Sequence, residues 1–301
     1  MWQSLLQNIQ HNDIASLARA ISLIENEANG YEDFLTSLPE NKTTAIVGIT
    51  GPPGAGKSTL VDALLSELIA QDKKIAVLCI DPSSPFNYGA LLGDRIRMNR
   101  WYTHPNVFIR SLASRGSLGG LHPKIIEITE VIKAAPFDYI IVETVGVGQS
   151  EVEIAGLADT TVVVLVPEGG DEVQNMKAGL MEIADIFVVN KADRPDADTF
   201  IRNLRMMLAP AFAQKKEKIE IIKTTASQAE GIHDLVHAIE KRNQVIVSNE
   251  RKDILLAEKV YRVIQQMRMK DMDKKNIYQF IKKNTDKNLY NLVKQIIYKA
   301  P

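Results

Sequence analysis

From residue 44 onward the chain alternates short apolar, β-branched runs with longer stretches whose apolar positions fall three and four apart. The runs are 45–50 (AIVGIT), 74–80 (KIAVLCI), 106–112 (NVFIRSL), 139–144 (YIIVET), 160–167 (TTVVVLVP), 185–190 (DIFVVN) and 220–225 (EIIKTT). Most lack strict in–out alternation, which marks strands covered on both faces of a parallel sheet. With helical patterns between them, they predict an α/β fold built on a doubly wound, mostly parallel sheet. Residues 1–40 read as a helical extension: 13–24 (DIASLARAISLI) has helical apolar spacing, and a short helix over 31–38 ends before Pro39. Past about residue 250 the strands stop, and two helices are expected over 252–270 and 274–298. The predicted organisation is therefore an N-terminal helical extension (1–40), an α/β domain (41–249) and a C-terminal helical arm (250–301).

Composition narrows this picture only slightly. A hydrophobic share of 45% with 24% charged residues describes an ordinary globular chain. No apolar run is long enough to cross a bilayer, and the N-terminus lacks the basic and apolar blocks of a secretory signal. The single cysteine, Cys79, cannot form an intramolecular disulfide, and the expected location is cytoplasmic. Charge is more informative. Residues 251–301 hold 13 Lys and Arg against 5 Asp and Glu, so a chain of net −1 carries −9 over its first 250 residues. Basic residues in the tail are not interleaved with aromatics in the manner of base stacking, so a solvated helix surface is preferred, with no nucleic-acid and no membrane partner. Ile254, Tyr261, Ile264 and Met267 could form a dimer stripe along the first tail helix.

Candidate chemistry begins after the first run. Gly51-Pro52-Pro53-Gly54-Ala55-Gly56-Lys57-Ser58, followed by Thr59, satisfies the spacing of a phosphate-binding loop between a strand and a helix. Glycines at these positions let backbone N–H groups turn inward on phosphate oxygens, and the helix N-terminus adds positive potential. Lys57 would reach the β- and γ-phosphates, and the Ser58 hydroxyl would take one Mg²⁺ position.

A second loop bears on the base. The sixth run ends in Asn190-Lys191-Ala192-Asp193. A carboxylate at Asp193 accepts from the ring N–H and exocyclic amine of guanine, whereas adenine would leave it unpaired. Asn190 would tie this loop to the phosphate loop, and the Lys191 stem would lie over the base. Thr225 and Ala226 follow the last run, where a backbone N–H can meet the guanine carbonyl. GTP and GDP are the expected ligands.

Asp81 and Glu143 close two other runs, and carboxylates at such strand ends face the nucleotide crevice as hard ligands for Mg²⁺. Asp94 could add another oxygen from a loop, and the backbone N–H of Gly146 would sense the γ-phosphate. Many small G proteins place a glutamine directly after the switch glycine to orient the attacking water. Here that position is Val147, with Gln149 two residues later. An apolar side chain cannot position water, so slow intrinsic hydrolysis accelerated by a partner or a second loop is expected.

Several longer segments carry a family likeness. Residues 51–59 (GPPGAGKST), 81–85 (DPSSP), 91–98 (LLGDRIRM), 114–121 (SRGSLGGL) and 143–150 (ETVGVGQS) resemble the MeaB/ArgK G proteins. These are the GTPase chaperones of adenosylcobalamin-dependent acyl-CoA mutases, and they include the human methylmalonic aciduria type A protein. The likeness runs from the N-terminal helices to about residue 245. It implies a homodimer that docks on such a mutase, most often methylmalonyl-CoA mutase, gates cofactor loading and protects the mutase from inactivation. Carried over by position, Lys57 and Ser58 hold phosphate and metal, Asp81, Asp94 and Glu143 form the Mg²⁺ environment, and Asn190, Lys191 and Asp193 read guanine. Residues 169–177 look like the family's third switch, in which Gln174 and Lys177 would link partner binding to catalysis. The chain departs from the family pattern at Tyr88, Glu168 and Asn175.

Two other functions compete. A metal-insertion GTPase would need sulfur and nitrogen donors, and this chain offers Cys79 and five scattered histidines (His11, His104, His122, His233 and His237). His233 and His237 stand four apart on a predicted helix and read as a solvated face. A transport-associated kinase or ATPase would need a positioned base for phosphate transfer, and no H-R-D-like segment occurs.

Overall fold

The computed structural model describes residues 1–41, 43–81, 98–114, 121–144, 153–167, 183–214, 219–247, 251–269, 272 and 274–299. The predicted Asp94, Gly146, Gln174 and Lys177, together with Tyr88, Val147, Gln149, Glu168 and Asn175, lie outside the described residues. The chain divides into two compact units, Met1–Leu255 and Leu256–Pro301.

Seven strands build the first unit: β1 (Ala45–Thr50), β2 (Ile75–Asp81), β3 (Val107–Ala113), β4 (Tyr139–Glu143), β5 (Thr160–Leu165), β6 (Ile186–Val189) and β7 (Glu220–Lys223). They form one sheet in the order β3-β2-β4-β1-β5-β6-β7, and every pairing among them is parallel. The expected sheet is thus present, and wholly parallel rather than mostly so. Apolar runs without alternation became central strands for the reason given above: β2, β4, β5 and β6 are buried at every position.

Strand β1 lies at the centre. Val47 pairs with Ile141 on one side and Thr160 on the other, so neighbours on the two sides enter from different parts of the chain. Such a reversal of strand order opens a crevice at the carboxyl ends, where this fold class binds its ligands. Helices α4 (Lys57–Ala70), α5 (Ile125–Lys133), α6 (Ala197–Gln214) and α7 (Ile232–Val247) complete the layers. Leu60, Leu64, Leu65, Val77, Val188 and Leu235 share one core beneath α4 and α7, while Phe187, Phe200, Leu204 and Leu208 fill another beneath α6.

The N-terminal extension forms α1 (Trp2–Gln10), α2 (Ile14–Glu25) and α3 (Tyr31–Thr36). Asp13 caps α2 by accepting the N–H groups of Ala15 and Ser16 at 3.2 Å each, and the Ser16 hydroxyl above all holds its carboxyl below the ordinary carboxylate range. Leu17, Ala20, Ile21 and Ile24 are buried, and Arg110 on β3 pairs with Glu25 of α2.

The tail holds α8 (Arg251–Met269), which crosses the boundary between the units, then α9 (Lys274–Lys283) and α10 (Leu289–Lys299). The single helix expected over 274–298 is therefore broken. Asn284 and Asp286 accept the backbone N–H groups of Asp286 and Asn288 at 3.1 and 2.8 Å, and Asn288 caps α10 through Tyr290 and Asn291. Short polar side chains that capture nearby N–H groups compete with helix continuation, and periodicity does not register that competition. No helix among the described residues is long and apolar enough to cross a membrane.

Candidate functional site

The strand–loop–helix junction after β1 is shaped by its surroundings. Gly51 has φ 141°, and a Cβ there would lie 2.1 Å from the Val164 carbonyl oxygen of β5. Gly56, the N-cap of α4, has φ 86°, and its Cβ would lie 2.5 Å from Asn190 Nδ2. Both positions demand a conformation that L-residues rarely adopt and a space that a methyl group would overfill. No side chain caps α4, so its first N–H groups remain directed at the loop, the arrangement that favours an anion.

Lys57 is 7% exposed, and its ammonium donates to the carbonyls of Gly51 at 2.9 Å and Pro52 at 3.0 Å. A buried charge is tolerated when its donors are satisfied, and these carbonyls hold the ammonium above the loop. Next to it, Ser58 Oγ donates to Glu143 Oε1 at 2.6 Å, joining the start of α4 to the end of β4. Asp81 ends the adjacent strand β2 and is buried. One further tie closes this edge: Thr144 Oγ1 donates to Thr50 Oγ1 at 2.9 Å. Pro53, Gly54, Gly56, Lys57, Ser58, Thr59, Asp81, Glu143, Thr144 and Lys191 line a cleft of about 460 Å³.

The base end is organised around Asn190, 2% exposed. Its Nδ2 donates to the Ala55 carbonyl at 2.9 Å, while its Oδ1 accepts from Thr224 Oγ1 and from the Ala226 N–H, both at 3.1 Å. One amide thus joins the loops after β1, β6 and β7. Lys191 lies at φ 56° and donates from Nζ to the Gly54 carbonyl at 2.8 Å. Asp193 is exposed. Of the two residues expected to offer an N–H to the purine, Ala226 has that group bonded to Asn190. Thr225 pairs its backbone with Glu230, its N–H donating at 3.1 Å.

Thr224, Thr50 and Thr144 were not anticipated from the sequence. Their hydroxyls act through partners distant in the chain, and a threonine at a strand end carries no signal of that. The donors near Ser58 fit Mg²⁺: a hydroxyl and buried carboxylates are hard oxygens, and this ion takes few protein ligands beside phosphate and water.

A parallel sheet with a glycine-rich loop and helix N-terminus at its centre, tied by one asparagine to a second strand-end loop, defines a P-loop nucleotide-binding fold. A family model described as "Methylmalonyl Co-A mutase-associated GTPase MeaB" matches residues 17–280, and the chain belongs to that family. A Pyrococcus abyssi protein carrying a GTPase name is 45% identical over 255 residues, spanning 83% of this chain and 79% of that one. The mitochondrial methylmalonic aciduria type A homolog of Caenorhabditis briggsae is 39% identical over 207 residues, 64% of this chain and 50% of its own length. Among solved structures, a LAO/AO transport system kinase superposes with a TM-score of 0.67 at 26% identity, covering 99% of this chain and 96% of that one. The protein is accordingly a GTP-hydrolysing, guanine-nucleotide-binding member of this family.

Proposed function

We propose that the protein is a nucleotide-gated chaperone of an adenosylcobalamin-dependent acyl-CoA mutase such as methylmalonyl-CoA mutase, controlling cofactor loading and protecting the loaded enzyme. The observation that carries this reading is the match to a mutase-associated GTPase family from residue 17 to residue 280, through both nucleotide loops. The relative named for methylmalonic aciduria supports the same class of partner.

In this reading the residues divide the work along the crevice. Lys57 would move its donors from the Gly51 and Pro52 carbonyls to the β- and γ-phosphate oxygens, and the N–H groups of residues 54–59 would enclose them. Ser58, Asp81 and Glu143, with Asp94, would hold Mg²⁺. When bound, that ion offsets the charge developing on the phosphates. Glu143 orients the Ser58 hydroxyl by accepting its proton in a hydrogen bond. Asp193 accepts the two guanine N–H donors, and Asn190 fixes the distance between the base and phosphate ends. Gly146 senses the γ-phosphate.

Hydrolysis is slow alone because Val147 stands where a water-orienting glutamine would serve. Gln174 and Lys177 supply the missing groups when a partner engages, an assistance worth on the order of 10⁵-fold, about 7 kcal/mol, in related systems. The arm over 250–301 pairs two copies, and the protein works in the cytoplasm. Base choice is checked by titration: GDP should bind far more tightly than ADP, and Asp193→Asn should weaken guanine while admitting xanthine. Equal affinity for ADP and GDP would refute it. The gating role is checked by measuring GTP turnover with and without a B12-dependent acyl-CoA mutase. Fast unassisted turnover that the mutase leaves unchanged would overturn it.

A further inference from the structure

Helices α4 and α7 pack together, and their exposed edge holds a feature that the nucleotide chemistry does not use. His233 and His237 lie one turn apart on α7, both exposed. Spacing of i,i+4 brings side chains to about 5–6 Å between Cβ atoms, the separation at which two imidazoles on one helix can chelate a single ion. From the sequence alone the pair is only a polar helix face. The fold adds a third group: His233 Nδ1 lies 3.1 Å from Glu67 Oε1 of α4. Gln71 Nε2 donates to the same oxygen at 3.4 Å, which restrains the carboxylate.

We propose that His233 and His237 bind one late first-row divalent cation, of the Co²⁺ to Zn²⁺ series, with Glu67 positioning His233. The chemistry follows from the acceptor. In the neutral imidazole, a carboxylate facing Nδ1 selects the tautomer that carries its proton there, which leaves the Nε2 lone pair to ligate. Carboxylate-to-histidine bonding of this kind fixes the tautomer and ring orientation, and raises the basicity of the ligating nitrogen. Imidazole donors select these borderline cations over Mg²⁺, so the site is chemically distinct from the oxygen donors beside Ser58. No third protein ligand joins the pair among the described residues, so water or an incoming donor completes the coordination. His233 is 80% exposed at its side chain, which leaves room for such a donor. Because α4 begins at Lys57 and α7 follows the segment containing Ala226, the ion would sit on one helix and its supporting carboxylate on another, both rooted in the nucleotide site.

The test uses the full chain saturated with Mg²⁺ and GDP, so that the oxygen donors are engaged. One equivalent of Cu²⁺ is followed by electron paramagnetic resonance, and Zn²⁺ by calorimetry. One ion per chain with two nitrogen donors is expected. Affinity should fall about tenfold or more in His233→Ala, in His237→Ala and in Glu67→Gln, the usual cost of losing a ligand or its supporting carboxylate. GDP affinity should stay unchanged in Glu67→Gln. A single-nitrogen copper signal, or unaltered zinc affinity in His237→Ala, overturns the two-imidazole site. Unaltered affinity in Glu67→Gln overturns the role of the carboxylate.

Discussion

The two compact units dispose of their apolar and polar groups in opposite ways. In Met1–Leu255 most large aliphatic side chains are interior, with Ile46, Leu64 and Val188 fully buried, and in the cleft Ser58 is bonded to Glu143 while Lys57 and Asn190 donate to backbone carbonyls. In Leu256–Pro301, Leu256, Tyr261, Leu289 and Tyr290 are 59%, 59%, 68% and 75% exposed. That unit also holds eleven Lys and Arg against four Asp and Glu, which leaves the first unit at −8. The first unit is specified by its own interior. The second exposes large apolar side chains among basic ones, and the pairing proposed for this arm would use them. Substitutions should therefore act on chemistry and stability in the first unit, and on assembly in the second.

The largest expected effect is at Lys57. Lys57→Ala removes the cation placed for the phosphates and should lower GTP turnover by on the order of 10²-fold or more, read as phosphate release. Asn190→Ala removes bonds to Ala55, Thr224 and Ala226 at once. It should cost about 2–3 kcal/mol in denaturant unfolding and loosen GDP binding as well. A variant with weakened GDP binding and parental stability would mean that Asn190 serves only the ligand. In the second unit Ile264→Glu, on an exposed position, should change stability by no more than about 0.5 kcal/mol. It should nevertheless convert dimers to monomers in light scattering. An unaltered oligomer would place the pairing surface elsewhere.

The smallest effect concerns Asp13. Its pKa is lowered in the folded chain, chiefly by the Ser16 hydroxyl, so its contribution is present above the ordinary carboxylate range and lost as pH falls through the folded value. Asp13→Ala should thus melt slightly earlier than the parent at neutral pH, and the gap should close in acid.

Strands β2, β4, β5 and β6 were legible because each is an apolar run covered on both sides, a property that one-dimensional pattern records well. Lys57 and Asn190 were legible for a related reason: each belongs to a short motif fixed to a strand end. What the pattern missed is what depends on distant partners. The use of the Ala226 N–H follows from Asn190, 36 residues earlier. Thr144 is explained only by Thr50, and Glu67 matters to His233 only because two helices pack. The break at Asn284–Asn288 was missed for another reason: polar side chains there outcompete the helix locally while the flanking apolar spacing continues.

Placing β1 between β4 and β5 also bears on how the molecule is made. A ribosome releases Ala45–Thr50 long before either neighbour exists, since the partner of Val47 on the nearer side is Ile141. At about 5–20 residues per second, the intervening stretch of roughly 90 residues occupies some 5–20 seconds of synthesis. During that interval one of the most water-averse strands of the protein has no neighbour of its own, and only further elongation can supply one. The strand that anchors the phosphate loop is thus the first to emerge, and it gains its second neighbour only when Thr160–Leu165 follows.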